Sequence, residues 1–133
     1  MKPVFADTFF YLAILNPEDA AHLQAAELLR TRTARTITTA WVLTEVGDAM
    51  AAPMNRPLFL ALLERLRSDP KVTIVPPTQE LFDRGIHFYS RRRDQDWSLT
   101  DCISFVVMHD HKLTDVLTGD RHFEQAGFRG LLT

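Results

Sequence analysis

The order in which short β-type runs and helical stretches succeed one another restricts this fold more than any other feature. Strand-like runs stand at Val4–Ala6, at Thr36–Thr39, in "KVTIVPP" and at 115–118, with a further short one at 128–132. The second of these is rich in β-branched residues, and the third is ended by two prolines. Helical patterns fill the intervals. "TFFYLAIL" reads as a buried first helix closed by "NPED", and 18–31 as an amphipathic helix carrying Ala21, Leu23, Ala25, Leu28 and Leu29. "WVLTEVGDAMAA" is helical until Pro53, and "RPLFLALLERLRSD" tolerates Pro57 in its first turn. "TQELFDRGIHFYSRRR" takes Thr78 as its N-cap, 98–111 forms a further helix, and 121–126 a short one. Strands that alternate with helices imply a mostly parallel sheet covered on both faces. The predicted fold class is therefore α/β, a three-layer α/β/α sandwich, with 1–133 as a single domain.

A chain of 133 residues, 46% apolar and 24% charged, is long enough to bury a core and is not composed like a disordered segment. No apolar run reaches membrane-spanning length, and "MKPVFAD" is too short for a signal peptide. Cys102, the sole cysteine, lies in the apolar run Cys102–Met108 and reads as a packed thiol; a disulfide framework is excluded and a reducing cytoplasm fits. With a net charge of −2, any nucleic-acid binding has to come from local patches.

In an open parallel sheet, ligands gather outside the carboxyl ends of the strands. Asp7 follows the first strand, and Asp120 follows the strand at 115–118. Glu45 lies about one turn into the helix after the second strand, where it interrupts an apolar face of Trp41, Val42 and Ala49. Asp101 opens the helix at 98–111, which must reverse before the next strand, so its start returns to the same rim. Taken singly, Asp7, Asp101 and Asp120 can be helix caps, and "SLTD" suits a capping arrangement. Together they repel. Like charges ~4 Å apart cost roughly 4 kcal/mol at an effective dielectric near ~20. Magnesium or manganese, hard ions held by oxygen ligands, is the natural counter-charge.

The blocks "FADTFFYLA", "TEVGDAM", "DWSLTDCISF" and "TGDRHFEQAGF", in this order, resemble the PIN-domain ribonucleases, and most closely the VapC-like toxins of bacterial toxin–antitoxin modules. The resemblance spans nearly the whole chain, and it is weakest over 53–75. It implies that Asp7, Glu45, Asp101 and Asp120 are the catalytic, metal-binding acids. Thr8 and Thr118 match the hydroxyl positions beside the first and last acids, and Asp96 matches a less regular acidic position. The expectation is a Mg2+- or Mn2+-dependent endoribonuclease, cytoplasmic, homodimeric, not membrane-bound, acting on RNA and restrained by a cognate antitoxin. A housekeeping RNA-processing nuclease and a non-catalytic RNA-binding module are the alternatives. A receiver-type phosphoacceptor is disfavoured because Lys112 precedes the last strand-like run of the 110s instead of following it. Histidines 22, 87, 109, 111 and 122 lack ligand spacing and read as structural or solvated. Arg91, Arg92 and Arg93 are either RNA-phosphate contacts at the rim or a solvated helix end.

Overall fold

The structure is a computed structural model that describes residues 2–133. Its elements run β1 (Val4–Ala6), α1 (Thr8–Leu15), α2 (His22–Thr31), β2 (Thr36–Thr39), α3 (Ala40–Ala49), α4 (Arg56–Ser68), β3 (Val72–Val75), α5 (Gln79–Arg91), α6 (Leu99–Asp110), β4 (Asp115–Leu117), α7 (Arg121–Gln125) and β5 (Arg129–Gly130). The five strands lie in the order β3-β2-β1-β4-β5, and every pairing is parallel.

β1 is central because all three of its residues are buried, as a strand covered on both faces requires. Phe5 registers with Ile37 on one side and Val116 on the other. The chain steps outward from β1 to β3, then crosses back to place β4 on β1's free side. Strand order therefore reverses between β1 and β4, the point where such sheets open a ligand crevice. Right-handed crossovers put α1–α4 on one face and α5–α7 on the other. Helix packing follows the same division, and the two groups meet where α3 approaches α6. Those two helices carry Glu45 and Asp101.

The apolar run of α6 is buried from Asp101 to Met108, so this helix is covered on all sides. Gly85 of α5 permits the close approach, since a Cβ there would lie 2.3 Å from Ile103 Cγ1. Thr78 caps α5 as the sequence implies, accepting the Leu81 N–H, and Thr39, read from the sequence only as the end of a strand, also caps α3 by accepting the Val42 N–H. Several boundaries differ, and the third helix ends at Ala49 instead of continuing to Pro53. The second helix starts at His22 instead of 18, because Asn16 and Asp19 turn the chain by accepting the N–H groups of Glu18 and Ala21. The final strand is Arg129–Gly130 instead of 128–132, although Leu131 and Leu132 still donate N–H bonds to Val116 and Thr118. Among the described residues, no helix is long and apolar enough to cross a membrane.

Candidate active site

Asp7 leaves the end of β1 and stands at the N-cap position of α1 in extended backbone. Its side chain makes no capping bond; its Oδ2 instead accepts a hydrogen bond from Thr118 Oγ1 at 3.0 Å. The residue is 3% exposed. Burial, followed by the nearby negative charge of Asp101, pushes its carboxyl pKa up to about 7, against the opposing effect of Thr118.

Thr118 is itself fully buried just past β4, and its hydroxyl also accepts the N–H of Asp120 at 3.0 Å. Asp120 in turn caps α7, its Oδ1 accepting the His122 N–H at 2.9 Å. Asp101 sits in the first turn of α6 within a complete capping box. Ser98 Oγ accepts the Asp101 N–H at 3.0 Å, and Asp101 Oδ2 accepts the Ser98 N–H at 3.4 Å. Capping and convergence on the rim are thus both true of Asp101 and Asp120, and a cap need not be only a cap. Burial raises the Asp101 pKa, while its bond to His122 works in the opposite direction.

The structure brings Asp7, Asp101 and Asp120 close enough for their charges to act on one another, and ties Glu45 to Thr8, the residue after Asp7. Oxygens of Asp101 and Asp120 lie with the His122 ring within a sphere of ligand-like dimensions, all donor atoms within 4.8 Å of one another. Asp7 is coupled to both aspartates through its charge. Glu45 is half-buried on α3 and joins through a neighbour, its Oε1 accepting the Thr8 hydroxyl at 2.6 Å. Thr8 and Thr118 therefore orient the first and second acids of the sequence set. Asp96 is exposed, and its charge acts on His122.

Of the histidines, His122 is the one that stands among the rim acids. Its Nδ1 lies 2.9 Å from Asp101 Oδ2 and 3.5 Å from Asp120 Oδ1, and the bond to Asp101 raises its pKa. The available signal was position: His122 stands two residues after a rim aspartate, in the first turn of a helix. The other histidines remain structural or solvated. His22 Nδ1 meets the Ala13 carbonyl at 2.7 Å, His109 packs on Phe128, and His87 and His111 are exposed. Within "SRRRD", Arg92 is paired with Asp94 at 3.1 Å and lies 4.8 Å over the Trp97 ring, whereas Arg91 and Arg93 face solvent. An open cleft of about 850 Å³, lined in part by Arg92, Arg93, Trp97 and Ser98, adjoins the cap of Asp101.

Acids delivered to the switch point of a 3-2-1-4-5 parallel sheet define a class. Residues 4–129 match the PIN domain family, and the chain belongs to it. The chain is 26% identical, over 94% of its length and 95% of the relative's, to the 23S rRNA-specific endonuclease VapC20 of Mycobacterium tuberculosis. The crystal structure of VapC20, described as a sarcin–ricin loop cleaving toxin, matches with a TM-score of 0.88 at 24% identity, covering 98% of this chain and 99% of that one. FitAcB from Neisseria gonorrhoeae matches with a TM-score of 0.67 at 18% identity, covering 96% and 94%. The PIN-like three-layer α/β/α fold is thus the fold of this chain.

Proposed function

We propose that this protein is a metal-dependent endoribonuclease and the toxin of a toxin–antitoxin pair. The observation that carries the reading is the buried carboxyl of Asp7, raised to about 7 by its burial and by Asp101, at a strand end shared with Asp120. Such an acid either keeps its proton or is held ionised by a cation, and a divalent ion shared with Asp101 and Asp120 offsets all three charges at once. The donor set of carboxylate oxygens suits a hard divalent ion, magnesium or manganese, held by Asp7, Asp101 and Asp120, with Glu45 completing the set from the α3 side. When bound, such an ion supplies Lewis acidity at a phosphodiester and a water of lowered pKa. The chain's own contribution is orientation. The Thr118 hydroxyl holds the Asp7 carboxylate, the Ser98 backbone N–H holds that of Asp101, and the Thr8 hydroxyl holds that of Glu45, so the carboxylates are kept in fixed rotamers. The similarity to VapC20 supports ribosomal RNA as the substrate class.

A protein partner is part of the reading. Leu58 and Leu60 of α4 are 49% and 60% exposed, so this helix carries apolar surface that its own core does not cover. An antitoxin seated on this face, with an arginine reaching the carboxylates, would compete with the ion for the same charges. A homodimer, a cytoplasmic location and a single nuclease domain over 1–133 belong to the same proposal.

The test is cleavage of total RNA by the purified protein with magnesium and with chelator. Cleavage should require the ion and should be abolished in Asp7→Asn and Asp101→Asn proteins that remain folded. Equal cleavage by both variants would overturn the assignment. Growth arrest on expression, relieved by a co-expressed antitoxin, separates the toxin from a housekeeping nuclease.

A further inference from the structure

We propose that His122 is a nitrogen ligand of the bound ion and that it biases the site toward manganese over magnesium. The inference rests on the four-carboxylate reading and adds a donor that the acids alone do not supply. Two neighbouring donors on one octahedral ion, each ~2.1 Å from it, stand about 3 Å apart. His122 Nδ1 lies 2.9 Å from Asp101 Oδ2 and 3.5 Å from Asp120 Oδ1, which are separations of that kind.

The ring is held there from two directions. Its own backbone N–H is bonded to Asp120, and the next residue, Phe123, is 0% exposed and anchors α7 in the core. The side chain is 32% exposed, so the ring stands at the mouth of the site and not beneath it. Without an ion, the tautomer that carries its proton on Nδ1 donates the short contact to the Asp101 carboxylate. With an ion present, Nδ1 offers its lone pair and the ring proton resides on Nε2. Imidazole is a borderline donor that suits manganese and later transition metals, whereas magnesium favours oxygen and its own waters. One nitrogen in an otherwise oxygen set therefore raises the manganese-to-magnesium affinity ratio.

A purely structural histidine would also touch Asp101, so the test has to separate the two roles. His122→Asn retains a short hydrogen-bond donor and the backbone cap of Asp120 but removes the imidazole. His122→Ala removes both side-chain functions and likewise leaves the cap. Melting in chelator verifies that each variant is folded. Manganese bound to the wild-type protein should show a ¹⁴N coupling by pulsed electron paramagnetic resonance, absent in both variants. Manganese affinity, measured calorimetrically, should fall about tenfold in His122→Asn, with magnesium affinity changed less than about threefold. Manganese bound without nitrogen coupling, or both ions weakened in equal proportion, overturns the proposal and leaves the carboxylate reading standing. Failure of the wild-type protein to bind either ion overturns both.

Discussion

Thr118 donates a hydrogen bond to Asp7 at 3.0 Å across 111 residues of chain, linking the ends of two adjacent strands through one buried hydroxyl. The same oxygen accepts the Asp120 N–H. Thr118→Val should leave a buried carboxyl and a backbone donor without their partner and destabilise the ion-free protein by about 1–3 kcal/mol, whereas Thr118→Ser should recover most of the loss. Urea denaturation of the three proteins is the measurement. A stable Thr118→Val protein would show that water replaces the hydroxyl at both sites.

Stability without divalent ions should fall as pH rises from about 4 to 7. The Asp7 carboxyl ionises near 3.8 when unfolded and at about 7 when folded, so over that window the native state holds the additional proton. The cost is absent below the unfolded value and complete above the folded one, on the order of 4 kcal/mol. Asp101, raised by burial, adds in the same direction. So does His122, raised by its bond to Asp101, whose stabilising charge is lost as pH climbs through its folded value. Asp7→Asn should flatten most of this slope and raise stability at pH 7, and magnesium should do the same for the wild type. Thermal melts across pH, in chelator and in magnesium, read both effects. An unchanged slope in the variant would assign the pH dependence elsewhere.

Glu45→Gln keeps an acceptor for the Thr8 hydroxyl but deletes the charge, and it should reduce RNA cleavage by at least about 100-fold with stability altered by less than about 0.5 kcal/mol. Thr8→Val frees Glu45 without neutralising it, and the loss should be closer to tenfold. Single-turnover rates at saturating magnesium give the ranking. Equal rates for Glu45→Gln and wild type would remove Glu45 from the ligand set.

Gly85→Ala should destabilise the fold by about 1–3 kcal/mol without altering the site chemistry, because the new methyl would meet Ile103 Cγ1 at 2.3 Å on α6. Pairing it with Ile103→Val should return part of the loss, which a double-mutant cycle measures.

The architecture was legible because period and punctuation agree: buried strand runs, the N-cap threonine at 78, and an apolar helix covered on all sides each specify local structure on their own. The rim position of the acids followed from topology. Two things did not follow. The start of the second helix depended on side chains of Asn16 and Asp19 competing with the backbone, which helical spacing cannot register. The place of His122 depended on how the first turn of α7 meets the first turn of α6, a tertiary distance between residues 21 apart that no local pattern encodes. Glu45 was legible as an acid on an apolar face, but its tie through Thr8 was visible only once α1 and α3 were packed together.

The reversal of strand order between β1 and β4 also sets a timetable for synthesis. Asp7 leaves the ribosome more than a hundred residues ahead of Asp120 and His122. β1 can pair with β2 early, but the crevice has only one wall until β4 docks on its other side. A nascent chain of this protein therefore has no assembled cluster of Asp7, Asp101 and Asp120 until the segment around Asp120 has emerged and docked.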